Sequence, residues 1–592
     1  MKKSIQKLER NKFILNLPSQ GLKLANFYEH IIPDIAEWPI YKISQNRTSF
    51  IENLNEFTYE RMLSLHDNNL VQLIEKTIYL EKIRSKNNPW KVDPPDEANY
   101  WRGLDKEFRK ILEKPDNEEE FHTLLKRIIN RYSEEITGSF NIKTFKFIRK
   151  FLTSFFKRLL NTAAGRNHRR IWGNKHQLRD RIQITGFVDE FRHLFSKGTV
   201  VVVPTHFSNL DSIMIGYSMD AVVGVPAFAY GAGLNLYEME LFAYFMNRLG
   251  AYKVDRRKKN PIYLECLKSM ACYSLQQGVN NIFFPGGTRS RNGSIEERLK
   301  LGLLGSVVES QRIFIQKNQN NKIFVIPLIL GYNFVLEAKY LVNQFLRSTG
   351  KEKYVRSKDQ YNSYRKILKF LWSLFSEQSE ITLSFGEPID VLGNKVNEEG
   401  ESIDKDGNII DLTDYFKWEG NISINTQRET VYTKMLGDAI LDSYYRNNVV
   451  LASHLVAFAA FRIIMNQNKE LSIFEIVNIP NQEIFIPIAT FEKVINQLLT
   501  VLRKWEKDGK IQLKEELKKE TIEIIKTGIS NLGTYHPSRP LIFKEDGITT
   551  EDLRLVYFYH NRLENYKLHQ FIDLGVNKRN GANSEKESLS NI

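Results

Sequence analysis

The α/β character of this chain is clearest in residues 199–211, whose sequence is TVVVVPTHFSNLD. A run of four valines is typical of a buried β-strand, because β-branched side chains pack well on a pleated surface. The polar residues that follow can cap a helix, and Ser208-x-x-Asp211 has the spacing of a capping box with Asp in place of Glu. The segment therefore predicts a strand, a turn and a helix, with His206 in the turn.

Four further short runs of β-branched or aromatic residues are bounded by Gly, Pro or Asn, at 222–229, 281–284, 323–330 and 381–385. Helical patterns separate these runs, which predicts an α/β domain with a mixed sheet flanked by helices. The predicted units are an N-terminal helical domain (1–140), a basic amphipathic segment (141–182), the α/β domain (183–390), a turn-rich linker (391–425), a C-terminal helical domain (426–576) and a disordered tail (577–592).

Composition narrows the class of protein. The chain has 592 residues, a hydrophobic content of 42% and a net charge of +14, which indicate several folded units and an anionic partner. Cys266 and Cys272 are the only cysteines, too few for a disulfide framework or a four-cysteine zinc site. The N-terminal MKKSIQKLERNKF lacks the apolar core of a signal peptide, and the apolar runs 212–234 and 449–465 contain charged residues. We therefore expect a cytoplasmic chain without a clean membrane-spanning helix.

Residues 143–181 are rich in Lys and Arg and contain one acidic residue, Asp180. Most of their large apolar residues fall at helical spacing, namely Phe145, Ile148, Leu152, Phe155, Phe156 and Leu159. One interpretation is a helix that docks on an anionic membrane surface, where each basic residue contributes about 1 kcal/mol. The alternative is an ordinary helix whose apolar face packs on the next domain. A nucleic-acid partner is not expected, because no zinc-finger or RNA-recognition signature accompanies the charge.

His206 and Asp211 are the first candidate for catalytic chemistry. A carboxylate on one imidazole nitrogen fixes the tautomer and leaves the other nitrogen as a general base. Residues five apart on a continuous helix point about 140° away from each other, so the contact requires the junction between turn and helix. The alternative is a surface turn in which Asp211 merely favours the positive end of the helix.

The second candidate is residues 281–293, with the sequence NIFFPGGTRSRNG. Its paired glycines allow an anion to approach backbone N–H groups, and Arg289 and Arg291 are forked donors that match phosphate. The absence of Gly-Lys-Ser/Thr excludes a nucleotide P-loop. Residues 250–257, GAYKVDRR, add a third cationic point. The alternative is a basic surface turn without a ligand.

Four segments in chain order resemble the motif blocks of the glycerolipid acyltransferase superfamily: THFSNLD (205–211), GAYKVDRR (250–257), FFPGGTRSRNG (283–293) and IPLILGY (326–332). Enzymes of this superfamily transfer a fatty acyl group from a thioester to a hydroxyl of a phosphate-bearing acceptor. The Arg-Ser-Arg-x-Gly sequence and SHLVAF (453–458) are similar to the longer glycerol-3-phosphate acyltransferases. The family has Glu where this chain has Gly286, which leaves lysophosphatidate or another lysophospholipid open as the acceptor.

The resemblance implies that His206 is the base, that Asp211 orients it, and that a substrate-binding set holds the acceptor phosphate: Arg256, Gly287, Thr288, Arg289, Ser290 and Arg291. It also implies an acyl-coenzyme A or acyl-carrier-protein donor, glycerol-3-phosphate as the acceptor, and no metal or other cofactor. The expected location is peripheral, on the cytoplasmic face of a membrane. The expected pathway is phospholipid synthesis. A function of another class, a non-catalytic membrane-binding module, would bind liposomes without transferring an acyl group.

Overall fold

The computed structural model describes residues 28–66, 69–115, 117–163, 182–208, 211–237, 240–335, 337–348, 381–534 and 536–573. The N-terminal helices are α1 (Pro39–Gln45), α2 (Arg47–His66), α3 (Leu70–Asn87), α4 (Glu97–Leu112), α5 (Glu118–Ile136) and α6 (Ile142–Ala163). Helix α5 shows why they associate: Phe121, Leu125 and Ile128 recur on one buried face. This apolar core continues into the α/β region through Tyr263 and Cys266.

A seven-stranded sheet lies at the centre of the protein. Its strands are β1 (Ile182–Gly186), β2 (Gly198–Pro204), β3 (Ala229–Gly233), β4 (Ala251–Val254), β5 (Asn281–Ile282), β6 (Lys322–Tyr332) and β7 (Ile381–Phe385). The spatial order is β1-β7-β6-β2-β5-β3-β4. All neighbouring pairs are parallel except β6 and β7, which are antiparallel. The predicted mixed sheet is thus confirmed.

Strand β2 occupies the middle of the sheet, where Val201 pairs with Val325 of β6 and with Asn281 of β5. Every β2 residue from Thr199 to Pro204 is buried. A strand covered by helices on both faces needs a continuous apolar run, and the four valines supply it.

Helices flank the sheet, as expected from the sequence. They are α7 (Val188–Leu194), α8 (Asp211–Ser218), α9 (Glu240–Met246), α10 (Pro261–Gln276), α11 (Leu301–Gln316) and α12 (Ala338–Ser348). Helix α10 begins where Asn260 caps it, accepting a hydrogen bond from the Tyr263 N–H at 2.8 Å, with Pro261 at the first helical position. Because α10 starts here, Asp255, Arg256 and Arg257, the last residues of the 250–257 segment, lie between β4 and α10.

Small sheets and helices make up the region after β7. The strands are β8 (Lys395–Val396), β9 (Ser402–Ile403), β10 (Ile409–Ile410), β11 (Lys417–Trp418), β12 (Asn421–Ile422), β13 (Val449–Val450), β14 (Ile486–Pro487), β15 (Gln512–Leu513), β16 (Ile542–Lys544) and β17 (Gly547–Thr549). The helices are α13 (Leu412–Phe416), α14 (Thr426–Arg446), α15 (Ala452–Gln467), α16 (Ile473–Ile476), α17 (Ile488–Lys507), α18 (Thr521–Asn531) and α19 (Leu553–His560). Helix α15 is buried along most of its length and shares one apolar core with the central sheet.

One predicted strand is wrong. The apolar run 222–229 is not a strand: Met219–Val223 form a π-helical turn that continues α8, and β3 begins only at Ala229. Gly224, with φ of 70°, ends the helical turn. Short buried apolar runs do not distinguish a strand from a buried helical turn, which is why the pattern misled.

The basic segment is helical as far as Ala163, and residues 164–181 lie outside the described residues, as does the predicted tail. The predicted apolar face packs on the protein at Phe145, whose ring lies 5.2 Å from Trp38, and at Leu152, which joins the main core. Among the described side chains of α6, those of residues 142–153, the exposed aromatic residues are instead Phe147 and Phe151. Among the described helices, none combines the length and apolar character needed to cross a bilayer. The domain boundaries stay a prediction.

Candidate active site

The candidate residues meet at one edge of the central sheet. His206 follows β2, residues 285–293 follow β5, and Arg256 follows β4. The pairs β2–β5, β5–β3 and β3–β4 are all parallel, so the carboxyl ends of these strands lie at the same edge. Open α/β sheets bind ligands outside this edge. The topology therefore brings together segments that are far apart in the sequence.

His206 and Asp211 are in contact, as the spacing predicted. His206 Nδ1 lies 2.8 Å from Asp211 Oδ2, and the His206 side chain is 17% exposed. With a proton on Nδ1, the imidazole donates to the carboxylate, and Nε2 keeps its lone pair. No hydrogen bond to Nε2 is found within the described part of the chain. The Phe284 ring, with its centroid 4.2 Å from that of His206, packs against the imidazole.

The Asp211 carboxylate is buried and held by several donors. Oδ2 accepts hydrogen bonds from the backbone N–H groups of Phe207 at 2.7 Å and Ser208 at 2.9 Å. Oδ1 accepts from the Tyr332 hydroxyl at 2.6 Å. Burial, reinforced by the neighbouring Asp211 charge, raises the pKa of Tyr332 well above its usual range, which keeps the phenol protonated as a donor. The carboxylate is therefore fixed relative to the imidazole that it orients.

The loop after β5 is tied to the His206 backbone on both sides. The His206 N–H donates to Glu296 Oε1 at 3.0 Å, and the Ser290 N–H donates to the His206 carbonyl at 2.8 Å. The Ser290 hydroxyl is used within its own loop, since it donates to the Ser294 carbonyl at 2.8 Å and accepts from the Gly293 N–H at 3.1 Å. Ser290 thus shapes the loop through its hydroxyl.

Several cations lie around this loop. Arg289 Nη1 is 3.5 Å from Glu337 Oε1, a long ion pair. Loss of part of its hydration and the nearby Arg289 charge lower the pKa of Arg256, and its side chain still reaches solvent. Thr288 and Arg291 are exposed as well. Within the described residues, neither Arg256 nor Arg291 forms an ion pair. Adjacent cations with few neutralising acids favour an anionic ligand.

Gly287 has φ of 74°, and a Cβ atom there would lie 2.5 Å from Lys300 Cδ and 2.8 Å from Lys300 Nζ. The glycine thus allows Lys300, a fourth cation beside Arg256, Arg289 and Arg291, to lie directly over the loop. By contrast, the Arg257 guanidinium forms ion pairs within the protein: it contacts Asp93, and its Nη2 lies 2.7 Å from Asp255 Oδ2. The choice of Arg256 over Arg257 as the ligand-facing residue is consistent with this arrangement.

The sequence patterns gave no role to several side chains that complete the site: Glu296, Lys300, Tyr332, Glu337 and Arg562. Tyr332 ends the fourth motif-like block, so a strand ending beside β2 could have pointed to it. The Ser208 hydroxyl donates to Glu337 at 3.0 Å. No cluster of three or more His, Cys, Asp or Glu that could hold a metal occurs in the part of the chain described.

Residues 179–331 match the family model described as Acyltransferase. The chain carries a domain of this acyltransferase family. The matched region contains the His206–Asp211 pair, the loop after β5 and β6 as far as Gly331. The sequence-based recognition of the superfamily is thus confirmed.

Curated relatives give the same indication. The chain is 25% identical over 260 residues to the glycerol-3-phosphate acyltransferase of Ectopseudomonas mendocina, which is 44% of this chain and 27% of the relative. It is 24% identical over 320 residues to that of Alteromonas mediterranea, which is 53% of this chain and 34% of the relative. The Pseudomonas putida protein of the same name is 24% identical over 264 residues, 44% and 28% of the two chains. The matches thus span about a third or less of these relatives' length.

The C-terminal region packs against the acyltransferase domain at the loop after β5 and at the end of β6. The buried Arg562 guanidinium lies 4.3 Å from the Phe207 ring and donates to the Leu330 carbonyl at 2.7 Å. Burial lowers the pKa of Arg562 to about 10. The Asn561 amide donates to the Asn292 carbonyl at 2.9 Å. At Gly293, with φ of 89°, a Cβ atom would lie only 2.1 Å from a backbone carbonyl of α19. The cationic loop therefore packs directly on the C-terminal helices.

Proposed function

We propose that this protein is an O-acyltransferase that moves a fatty acyl group from an acyl thioester to the hydroxyl of glycerol-3-phosphate, a step of phospholipid synthesis. The observation that carries the proposal is the His206–Asp211 contact of 2.8 Å next to a loop whose arginines can hold a phosphate. The names of the curated relatives support the same acceptor.

The chemistry follows from the geometry. His206 Nε2 removes the proton from the acceptor hydroxyl as its oxygen attacks the thioester carbonyl. The tetrahedral adduct collapses, the carbon–sulfur bond breaks, and the imidazolium returns the proton to the departing thiolate. Asp211 stabilises the imidazolium and keeps the ring in the productive tautomer. General-base catalysis of this type contributes about 10²–10⁴-fold to the rate.

The cations hold the substrates. Arg289 and Arg256 would bind the acceptor phosphate and so place its hydroxyl beside His206, while Arg291 and the Gly287–Thr288 backbone would add contacts. The donor would be acyl-coenzyme A or acyl-carrier protein, both anionic and suited to a chain with a net charge of +14. The reaction balances without a metal or redox cofactor, so none is proposed.

The test is thiol release from palmitoyl-coenzyme A by purified protein, with glycerol-3-phosphate and lysophosphatidate offered separately. His206→Ala is the blank, and His193→Ala, at an exposed histidine of α7, is the matched control. Release that needs glycerol-3-phosphate and His206 supports the proposal. Release with lysophosphatidate alone would keep the chemistry and change the acceptor. If no thiol were released with either acceptor, and none when an acyl-carrier protein replaced coenzyme A as the donor, the proposal would be refuted in favour of a non-catalytic module.

We further propose that the enzyme works on the cytoplasmic surface of an anionic membrane, through an aromatic and basic face of α6 and α9. Phe147 is 58% exposed, Phe151 46% and Tyr244 48%. The Phe147 ring stacks on both Phe151 and Phe245, at centroid distances of 6.4 and 6.3 Å. Lys143, Lys146 and Lys150 are exposed along the same helix. Exposed aromatic rings beside lysines suit the interface of an anionic bilayer.

Co-sedimentation with phosphatidylglycerol vesicles tests this face. The double variant Phe147→Ser/Phe151→Ser should bind about tenfold more weakly, since each ring removes apolar area from the interface. Tyr79→Ser, at a residue 61% exposed on α3, is the matched control and should bind like the unaltered protein. Equal binding by all three proteins would refute the docking face.

A further inference from the structure

The loop after β5 has a glycine where the superfamily that it resembles has a glutamate, and Glu296 fills the space next to that glycine. A Cβ atom on Gly286 would lie 3.0 Å from Glu296 Cγ and 3.1 Å from Glu296 Oε1. Both distances are tighter than ordinary van der Waals contact. A larger residue at 286 would therefore displace the Glu296 side chain, so the two positions are complementary.

Glu296 acts on the backbone of the residue assigned as the base. Its Oε1 accepts the His206 N–H at 3.0 Å, while the Ser290 N–H binds the His206 carbonyl at 2.8 Å. The segment that carries Glu296 is anchored in turn, because the Lys300 N–H donates to the Pro285 carbonyl at 2.7 Å. The His206 peptide is thus held at both ends by one loop, which restricts rotation of the backbone that carries the imidazole.

The Glu296 carboxyl is unusual because one of its oxygens, Oε2, is buried without a hydrogen-bond partner among the described residues. Burial raises the pKa of this carboxyl, although the His206 N–H and the Arg562 charge oppose the shift. A buried, unpartnered polar oxygen costs stability, so stability alone does not explain why a carboxyl is present here. A neutral carboxyl and an amide are similar in shape, and both offer an acceptor oxygen to His206.

We infer that Glu296 is a positioning residue for catalysis by His206, and that Gly286 is needed because Glu296 occupies the adjacent space. The inference rests on the proposed function, in which His206 is the base. It also gives a reason for the glycine in the third motif-like block: the Glu296 side chain occupies the space that a larger residue at 286 would need.

Single variants separate positioning from folding. Glu296→Ala should lower kcat about 10–100-fold, the usual cost of a small misplacement, and leave the KM of both substrates within about twofold. Glu296→Gln keeps the acceptor oxygen and should retain kcat within about threefold of the unaltered enzyme. Glu297→Ala, at the exposed neighbour, is the matched control. A Glu296→Ala enzyme with unaltered kcat, or a Glu296→Gln enzyme as slow as the Ala variant, would overturn the inference.

A double-mutant cycle tests the pairing with Gly286. The backbone at this glycine does not have a positive φ, so Gly286→Ala changes occupied space without adding backbone strain. Alone it should lower kcat about tenfold by displacing the Glu296 carboxyl. Added to Glu296→Ala it should cause no further loss, since the displaced group is already gone. Losses that simply multiply would show that the two positions act independently and would refute the pairing.

A second measurement does not depend on turnover. Carbethoxylation of His206 by diethyl pyrocarbonate, followed by peptide mass spectrometry, reports how firmly the ring is held. Modification should be faster in Glu296→Ala and unchanged in Glu296→Gln, at equal thermal midpoints. If the unaltered protein transferred no acyl group to any acceptor, the proposed function would fail, and this assay would still decide the positioning role. Equal modification rates in all three proteins would exclude it.

Discussion

Replacing Asp211 by Asn removes one charge and changes almost nothing else in the shape of the site. The side-chain oxygen would take the Oδ2 position, because His206 Nδ1 and the N–H groups of Phe207 and Ser208 all point there. The amide nitrogen would then face the Tyr332 hydroxyl, which can turn and accept instead of donating. The variant should therefore fold with His206 still in contact, but without a counter-charge for the imidazolium.

The expected magnitude follows from these contacts. A hydrogen bond to a charged group contributes about 1.5–3 kcal/mol and one to a neutral group about 0.5–1.5, so each of the three bonds other than that of His206 weakens by about 1 kcal/mol. Relief of the cost of burying a charge offsets part of this loss. The free energy of unfolding should fall by about 1–3 kcal/mol. Turnover should fall much further, about 10²–10⁴-fold in kcat, because the imidazolium forms without its partner.

The assay pairs thiol-release kinetics with urea unfolding. Asp220→Asn is the matched control, since Asp220 is another buried carboxylate, in the turn that continues α8, and is bound by the Arg149 guanidinium with an Nε–Oδ2 distance of 2.6 Å. Both variants should lose stability, and Asp211→Asn alone should lose kcat. If Asp211→Asn kept kcat within tenfold of the unaltered enzyme, or if Asp220→Asn lost as much, then His206 would not depend on Asp211 as its orienting partner.

Three further predictions follow from the structure. Arg289→Lys should raise the KM of the phosphate acceptor about 10–100-fold, because a forked donor is lost; the exposed Arg298→Lys is its control, and equal KM values would contradict the assignment. Gly293→Ala should lower the free energy of unfolding for two reasons. A non-glycine residue at this positive φ costs about 1–3 kcal/mol of backbone strain, and the added Cβ would also overlap a carbonyl of α19. Gly278→Ala, with φ of 74° and open space, should show the strain alone, so equal losses would exclude the overlap. Burial lowers the pKa of His536 to about 3, whereas an unfolded histidine titrates near about 6.5, so the unfolded chain binds a proton that the folded chain does not, and stability should fall as pH drops from about 6.5 towards 3. Urea midpoints at pH 7 and 5 should show a smaller drop for His536→Gln, and an unchanged drop would contradict this account.

The motif-bearing strands could be predicted because their patterns are local. The valine run of β2 and the apolar runs of β6 and β7 are long or strongly β-branched, and the structure has strands there. The run 222–229 failed because its residues are equally suited to a buried helical turn, which Gly224 ends. On α6 the pattern found the apolar stripe and left open whether lipid or the next domain covers it; the structure packs Phe145 on the protein and exposes Phe147 and Phe151 on another face. Helical periodicity identifies an apolar face without specifying its partner.

The site residues also fall into two groups, those that local spacing could predict and those that only the tertiary structure brings together. His206 and Asp211 are five residues apart and meet within one turn, so their spacing could predict the contact, with a plain surface turn as the alternative. Glu296 and Tyr332 reach the same turn from the segments after β5 and at the end of β6, and Arg562 reaches it from the C-terminal region. No local pattern marks Glu296 or Arg562, because each is an ordinary charged side chain in its own segment. Tyr332 ends the fourth motif-like block, but the block does not indicate which side chain its hydroxyl contacts.

The sequence alone was sufficient to indicate α/β elements, a histidine–aspartate pair and a cationic glycine loop, because each depends on near neighbours in the chain. The acyltransferase class was indicated by the resemblance of four ordered motif blocks to that superfamily. Only the tertiary structure decided that the loop after β5 holds the His206 backbone through Glu296, that Lys300 lies over Gly287, and that the C-terminal helices pack against Gly293. These contacts depend on sheet order, with β2 placed between β5 and β6. That order results from the burial of apolar surface over the whole domain, a property that local sequence spacing does not contain.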